Sequence, residues 1–176
     1  MQKRELSFMC KLLFVAAIIT VSTTIAFGQQ RLVTTSATAV LRKPVSLTIT
    51  KNSDLIFGTI APGISPGSVT ISHSNNTVSS NGVSLLSVGP LRNRAAFTIR
   101  GPLGTPFSVS IPSSIQLISG GLAPMNLNLT KNLPNTNNSI PVGGSIVLYI
   151  GGTLQINSNQ PTGNYTGSMT VTINYN

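Results

Sequence analysis

Few residues in this chain have side chains suited to acid–base or nucleophilic catalysis. Beyond residue 28 it holds one carboxylate, Asp54, one imidazole, His73, and no cysteine. General acid–base catalysis usually needs two suitable groups near one substrate, and a glycosidase needs a pair of carboxylates. A Ser/His/Asp triad would have to use both groups, and His73 lies in a polar turn, Ser-His-Ser-Asn. The sequence therefore predicts that the protein is not an enzyme.

Metal and cofactor sites are also not indicated. A zinc site would lack its usual cysteine, histidine and carboxylate ligands, and asparagine amides with backbone carbonyls make a poor calcium site. No glycine-rich segment ends in a lysine that could bind phosphate. We therefore expect no cofactor and no bound metal.

The N-terminal residues 1–28 have the pattern of a secretory signal peptide. Basic residues precede the apolar run Leu12–Ile19, which is too short to span a membrane, and Ala26-Phe27-Gly28 supplies small residues at a cleavage site. We expect a mature protein that begins near Gln29, does not span a membrane, and resides in the periplasm, at the cell surface or outside the cell. The only cysteine, Cys10, leaves with the signal peptide, so no disulfide is expected.

The charge of the mature chain is strongly positive. Three of the eleven Lys and Arg residues and one of the two acidic residues lie in the signal peptide, which leaves eight basic residues, one carboxylate and a net charge of +7. The basic residues are scattered, and no aromatic side chains are interleaved with them, as a nucleic-acid surface would require. We therefore expect solvated surface charge and no nucleic-acid partner.

The elements that would position any site are short β-strands. Runs such as Val45–Thr50 and Met125–Thr130 alternate apolar and polar residues, and Gly, Pro and Asn turns separate them at about 8–12 residue intervals. Gly58 interrupts one run, which predicts a bulge or a close backbone approach. Since no mature segment has helical spacing, residues 44–176 are predicted to form an all-β, immunoglobulin-like antiparallel β-sandwich.

The C-terminal stretch predicts a final strand pair. Met169, Val171, Ile173 and Tyr175 fall on one side of an extended chain, and an earlier run begins at Leu154. A Pro/Gly turn separates the two runs, and the last strand ends where the sequence ends. Such a strand leaves its sheet either with an exposed edge or with a place for another chain to pair.

The extension that precedes the domain, residues 29–43, also alternates. Its apolar or small face is formed by Val33, Thr35, Ala37, Ala39 and Leu41. One interpretation is an unstructured tail, which is common at termini. The other is a detachable strand that pairs elsewhere, which the Thr and Val content favours. Both interpretations stay open at the level of sequence.

Three segments resemble a known bacterial secreted family, the domain of unknown function 4402. They are PVSLTITKNSDLIFGTIAPG, RAAFTIRGPLGTPFSVSIPSS and GGTLQINSNQPTGNYTGSMTVTINYN. The specific matches are L-x-F-G-x-I, here Leu55, Phe57, Gly58 and Ile60, and G-x-Y-x-G-x-x-x-V-x-x-x-Y, here Gly163, Tyr165, Gly167, Val171 and Tyr175. This resemblance implies no particular biochemical activity.

The ending is also similar to subunits of chaperone–usher pili, including the spore-coat-U-like type. That similarity implies an incomplete sandwich whose groove is filled by the N-terminal strand of the next subunit. Val33–Leu41 would then be the donor strand and Met169–Tyr175 the acceptor edge. The partners would be identical or related subunits and a periplasmic chaperone. This chain departs from such subunits in lacking a disulfide and in having Ala37 and Ala39 where bulky anchors are usual.

Two functions of different classes follow. The first is a non-enzymatic, secreted structural or adhesive surface protein, a pilin-like subunit that assembles by strand exchange. The alternative is a monomeric module that binds cell-surface carbohydrate or another envelope polymer. Such a module would stack sugars on exposed aromatic rings, and this chain has no Trp and only three Tyr, at positions 149, 165 and 175.

Overall fold

The computed structural model describes Ala39 and residues 46–176, and this part of the chain is all-β and antiparallel, with no helix. None of its residues lies in a helix that is long and apolar enough to cross a membrane. Twelve strands follow in order: β1 (Thr48–Ser53), β2 (Thr59–Ala61), β3 (Gly67–Ile71), β4 (Val78–Asn81), β5 (Ser84–Leu86), β6 (Ala95–Arg100), β7 (Pro106–Ser110), β8 (Ser114–Leu117), β9 (Met125–Lys131), β10 (Asn138–Ser139), β11 (Ser145–Ile156) and β12 (Thr172–Tyr175). The signal-peptide prediction for residues 1–28 lies outside the described residues.

The longest strand, β11, is the centre of a seven-stranded sheet. On one edge its first half pairs with β6 and its second half with β3; β9 pairs with the opposite edge. β1 lies beyond β6, β4 beyond β3, and β8 beyond β9. Gly152 is the register partner of both Ile71 and Leu129, which places β3 and β9 on opposite sides of β11. The antiparallel sheets include a curled half-barrel.

Two smaller sheets complete the described structure. β10, β7 and β12 form a three-stranded sheet in that order, and β2 pairs with β5. Two groups of buried side chains form the core. The first is Phe57, Val69, Ile71, Met125, Leu127, Leu154 and Ile156. The second joins the seven-stranded sheet to the three-stranded sheet through Ala95, Ile99, Phe107, Val109, Ile140, Leu148 and Ile150.

The final two strands are not a neighbouring pair. β12 pairs with β7 and belongs to the three-stranded sheet, whereas Leu154 and Ile156 lie in the second half of β11. The two adjacent glycines Gly151 and Gly152 lie inside β11. Side chains there would collide with neighbouring backbone, since a Cβ on Gly152 would lie 2.5 Å from the Asn128 carbonyl oxygen. The glycines therefore allow three strands to approach closely.

Candidate assembly edge at β12

A hydrogen-bonded clasp holds the loop that leads toward β12. The Tyr165 hydroxyl donates to the carbonyl of Pro161 at 2.9 Å and accepts from the Gln160 side-chain amide at 2.9 Å. Gln160 is 5% exposed, and its amide also donates to the carbonyl of Ala123 while its oxygen accepts from Asn157. A buried amide needs these partners to offset the loss of water. The clasp therefore fixes the path of the chain before the last strand.

Beyond the clasp, the chain passes tightly against β8 before it reaches β12. Thr166 and Ile118 exchange two backbone hydrogen bonds, each 2.9 Å long. At Gly167 a Cβ would lie 2.7 Å from the Gln116 carbonyl oxygen, so only glycine fits without displacement. These contacts restrain the position of the segment that leads from the edge of β8 into the three-stranded sheet.

The inward face of this last segment has the predicted alternation. Met169, Val171 and Ile173 are half-buried and pack against the second core, whereas Thr170 and Thr172 are exposed. Tyr175 is the register partner of Phe107 and lies on the same face, yet its side chain is 59% exposed. We call Met169, Val171, Ile173 and Tyr175 the acceptor edge. Its apolar face is covered only in part by the described residues.

The backbone of β12 has one satisfied side and one open side. Val109 donates its N–H to Asn135, away from β12, and Asn176 donates its N–H to Pro106. In an antiparallel ladder these directions alternate from residue to residue. The N–H and C=O groups of Ile173 and Tyr175 therefore point away from β7. β12 is the end strand of its sheet, and no strand in the described part of the chain pairs with this side.

Two other sheet edges, β1 and β4, have features that discourage the pairing of a further strand. β1 ends the seven-stranded sheet, but its register shifts between Lys51 and Ser53, and Lys51 carries its charge on the edge in an ion pair with Asp54. β4, at another edge, is a short run of mainly polar residues. Bulges, lysines and short polar strands are common devices that discourage pairing at an edge. β12 has no lysine, proline or register shift among its four residues.

The predicted donor residues Val33, Thr35, Ala37 and Leu41 lie outside the described residues, and Ala39 is described only as exposed. Their pairing with the acceptor edge therefore stays a prediction. Met169, Val171 and Ile173 pack against the second core, in keeping with the predicted alternation, whereas Tyr175 is exposed. The strand is shorter than the alternating run, because only Ile173 and Tyr175 of these four residues lie within β12.

The two residues that a catalytic triad would need have separate partners. Asp54 accepts a hydrogen bond from the Lys51 ammonium at 2.8 Å. His73 Nδ1 lies 3.2 Å from the Thr130 hydroxyl. Among the described residues, no group of three or more His, Cys, Asp or Glu side chains is placed to hold a metal ion.

A cation–π contact between Arg94 and Tyr149 was not predicted from the sequence. The Arg94 guanidinium lies over the Tyr149 ring, 3.6 Å from its centroid, and donates to the carbonyls of His73 and Ser74, each at 2.5 Å. The arginine therefore ties the turn after β3 to the central strand. Its partners are two backbone carbonyls and a ring from distant segments, so no sequence spacing reveals them.

The chain matches the sequence pattern of a family over residues 47–175, which include every strand described above. That family is described as Domain of unknown function (DUF4402). The chain belongs to this family. No curated protein and no solved structure matched the DUF4402 chain.

The two sequence motifs noted in this DUF4402 chain have structural roles. In L-x-F-G-x-I, Phe57 is buried and Gly58 has a φ of 71°, with the Arg92 side chain and the Pro90 carbonyl against it. The predicted close approach at Gly58 is confirmed. In G-x-Y-x-G, the Tyr165 hydroxyl forms two hydrogen bonds of the clasp, and Gly167 lies against the Gln116 carbonyl oxygen in β8. This second motif of the DUF4402 domain positions the acceptor edge.

Proposed function

We propose that this protein is a non-enzymatic, secreted structural or adhesive subunit that assembles by strand exchange. The observation that carries the proposal is the open side of β12. Ile173 and Tyr175 present backbone hydrogen-bonding groups there, beside an apolar face that is only half-covered. A strand added at this side would satisfy those groups and bury the face, which is the general mode of β-strand addition.

In this proposal, the three-stranded and seven-stranded sheets are the two layers of an immunoglobulin-like sandwich that lacks one strand. The joint packing of Phe107 and Val109 with Ile99 and Leu148 supports two facing layers. The missing strand would lie beside β12, where Met169, Val171 and Ile173 are half-buried. A neighbouring subunit would supply it.

The donor in the proposal is the N-terminal segment of another copy. Residues 33–41 alternate in the same way as the acceptor edge, so Val33, Thr35, Ala37, Ala39 and Leu41 would face the core. A periplasmic chaperone would cover the same edge before assembly.

The experiment compares the mature protein, Gln29–Asn176, with a version that lacks Gln29–Leu41, by light scattering. We expect the mature protein to form multimers that resist SDS and dissociate on heating, and the shortened version to stay monomeric. A matched pair of variants sharpens the comparison: Asp at 33, 37 and 41 should prevent assembly, whereas Asp at 34, 36 and 38, on the opposite face, should have a much smaller effect.

If the mature protein is a folded monomer that unfolds cooperatively, strand exchange is excluded. A module that binds a cell-surface polymer would then be the better proposal. One observation favours that alternative: the Tyr175 ring is 59% exposed and could stack on a sugar. The Tyr149 ring, in contrast, is covered on one face by Arg94.

A further inference from the structure

Two neighbouring loops present apolar side chains at one end of the domain. The loop after β6 carries Leu103, which is 66% exposed, and the loop before β11 carries Val142, which is 88% exposed. We call these two side chains the end surface. Burial of exposed leucine and valine side chains lowers the free energy, since it removes apolar area from water. Because the two side chains lie on adjoining loops, one partner could cover both, which makes them a candidate protein–protein contact.

Backbone hydrogen bonds hold the two loops together. Gly101 donates to the Gly144 carbonyl at 3.1 Å, and Gly104 donates to the Ile140 carbonyl at 2.8 Å. Ile140 in turn donates to Thr105 at 3.0 Å, and Thr105 is only 5% exposed. The end surface is therefore carried by two loops that are hydrogen-bonded to each other. This restraint lowers the conformational entropy that the loops lose when a partner binds.

The domain also begins at this end. The Leu47 side chain packs directly against Gly101. A Cβ added to that glycine would lie only 2.6 Å from Leu47 Cδ2. Thr48 is the register partner of Arg100, directly before the first of the two loops. The extension that carries the donor residues therefore joins the domain beside the end surface.

The length of the connection limits where a neighbouring subunit can lie. Only residues 42–46 separate Leu41, the last donor residue, from Leu47. Even fully extended, these residues reach about 20 Å. When Val33–Leu41 lies in the groove of one copy, the end of the donor's own domain must lie close to that copy, whichever direction the donor runs.

We infer that the end surface, Leu103 and Val142, packs against the subunit that accepts the donor strand, as a second contact between two copies of this chain. The inference rests on the proposed function. Its occupant is a second copy because the short connection brings that copy to this end of the domain. Burial of both side chains would add hydrophobic free energy to the backbone pairing of the strand.

The test compares two double variants of the mature protein. Leu103→Asp with Val142→Asp changes the end surface, and Ile64→Asp with Leu91→Asp makes the same change at two side chains that are each 87% exposed. Association is measured from the dependence of multimer formation on protein concentration, followed by light scattering, and circular dichroism checks the fold of each variant. We expect at least tenfold weaker association for the first variant and unchanged association for the second.

A disulfide cross-link between a donor cysteine and a β12 cysteine, formed at high protein concentration, reports strand insertion separately. We expect this cross-link to persist in the end-surface variant, since the strand itself is unchanged. Equal association of the two double variants would overturn the inference while leaving strand exchange intact. If the wild-type protein neither associates nor cross-links, the proposed function fails and the inference falls with it.

Discussion

Ile173 lies directly opposite Val109 in the ladder between β7 and β12, yet Val109 is 1% exposed whereas Ile173 is only half-buried. Register partners in an antiparallel pair share one face of the sheet, so both side chains point toward the same core. The difference arises because β7 has a strand on each side and β12 has one on a single side. The core is therefore less complete at β12, and this incompleteness is the basis of the proposed function.

The Tyr165 hydroxyl should contribute measurably to stability. Tyr165→Phe removes its bonds to Gln160 and Pro161, and leaves a buried amide with one partner fewer. We expect a loss of about 1–2 kcal/mol in the free energy of unfolding, measured with urea. Tyr175→Phe is the matched control, because that side chain is 59% exposed, and it should change the free energy little. Equal effects of the two variants would argue against the clasp.

Gly167 should tolerate no larger side chain. In Gly167→Val, the added atoms meet the Gln116 carbonyl and the Leu117 side chain, both 2.7 Å from the position of a Cβ. We expect a destabilisation of about 1–3 kcal/mol in urea unfolding, typical of overpacking. Ser168→Val adds a similar bulk at the exposed neighbouring position and should cost far less. A Gly167→Val protein as stable as the wild type would contradict the described contact.

How far the sequence predicted the fold depends on whether the signal was local. The alternation at Met169, Val171 and Ile173 is a local property, and the burial pattern confirms it. The role of Gly151 and Gly152 is not local. Two adjacent glycines are typical of a turn, but here the crowding comes from β3 and β9, which lie far away in sequence.

The same reasoning applies to the site. The apolar face of the acceptor edge was predicted from its period of two. The pairing of β12 with β7 could not be predicted, because many alternating strands in this chain would fit that register equally well. The hydrogen bond between Gln160 and Tyr165 was not predicted either, although the two residues are only five positions apart in the sequence. A buried glutamine can be recognised only once its surroundings are known.

The stacking of Arg94 on Tyr149 should appear as a coupling energy. We expect a double-mutant cycle with Arg94→Met and Tyr149→Leu to give about 0.5–2 kcal/mol of favourable interaction. The guanidinium also donates to two carbonyls, so Arg94→Met alone should cost more than the coupling energy. Urea unfolding of the four proteins measures each term. Strictly additive effects would show that the 3.6 Å contact contributes nothing to stability.

Lys131 should make the stability depend on alkaline pH. Partial burial lowers the pKa of its ammonium in the folded state, because desolvation disfavours the charged form. The unfolded state then binds more protons as the pH rises between the lowered pKa and the ordinary value. The free energy of unfolding therefore increases with pH in that window. Below the window, the charged Lys131 side chain destabilises the folded state by its full desolvation cost.

Lys131→Met removes this cost, so its stability relative to the wild type should be highest at neutral pH. We expect the difference to shrink as the pH approaches the ordinary lysine value of 10.5, with unfolding monitored at each pH. The comparison cancels the titration of groups that both proteins share. A difference that stays constant, or widens toward alkaline pH, would contradict the assigned direction.

The most direct test of strand exchange uses the absence of cysteine from the mature chain, since Cys10 lies in the predicted signal peptide. One population carries a single cysteine at Thr34, Ser36 or Thr38, on the outward face of the donor. The other carries Asn174→Cys on the outward face of β12, and the two are mixed before oxidation. Cysteines on neighbouring strands form a disulfide only when their Cβ atoms lie about 4 Å apart.

A control population carries Ser79→Cys on β4, which is another exposed sheet edge. We predict that one donor position forms a disulfide-linked dimer with Cys at position 174 far more efficiently than the other two. None of them should link efficiently to Cys at position 79. Equal, low cross-linking at both acceptor positions for all three donors would contradict the claim that β12 accepts a strand from a second copy.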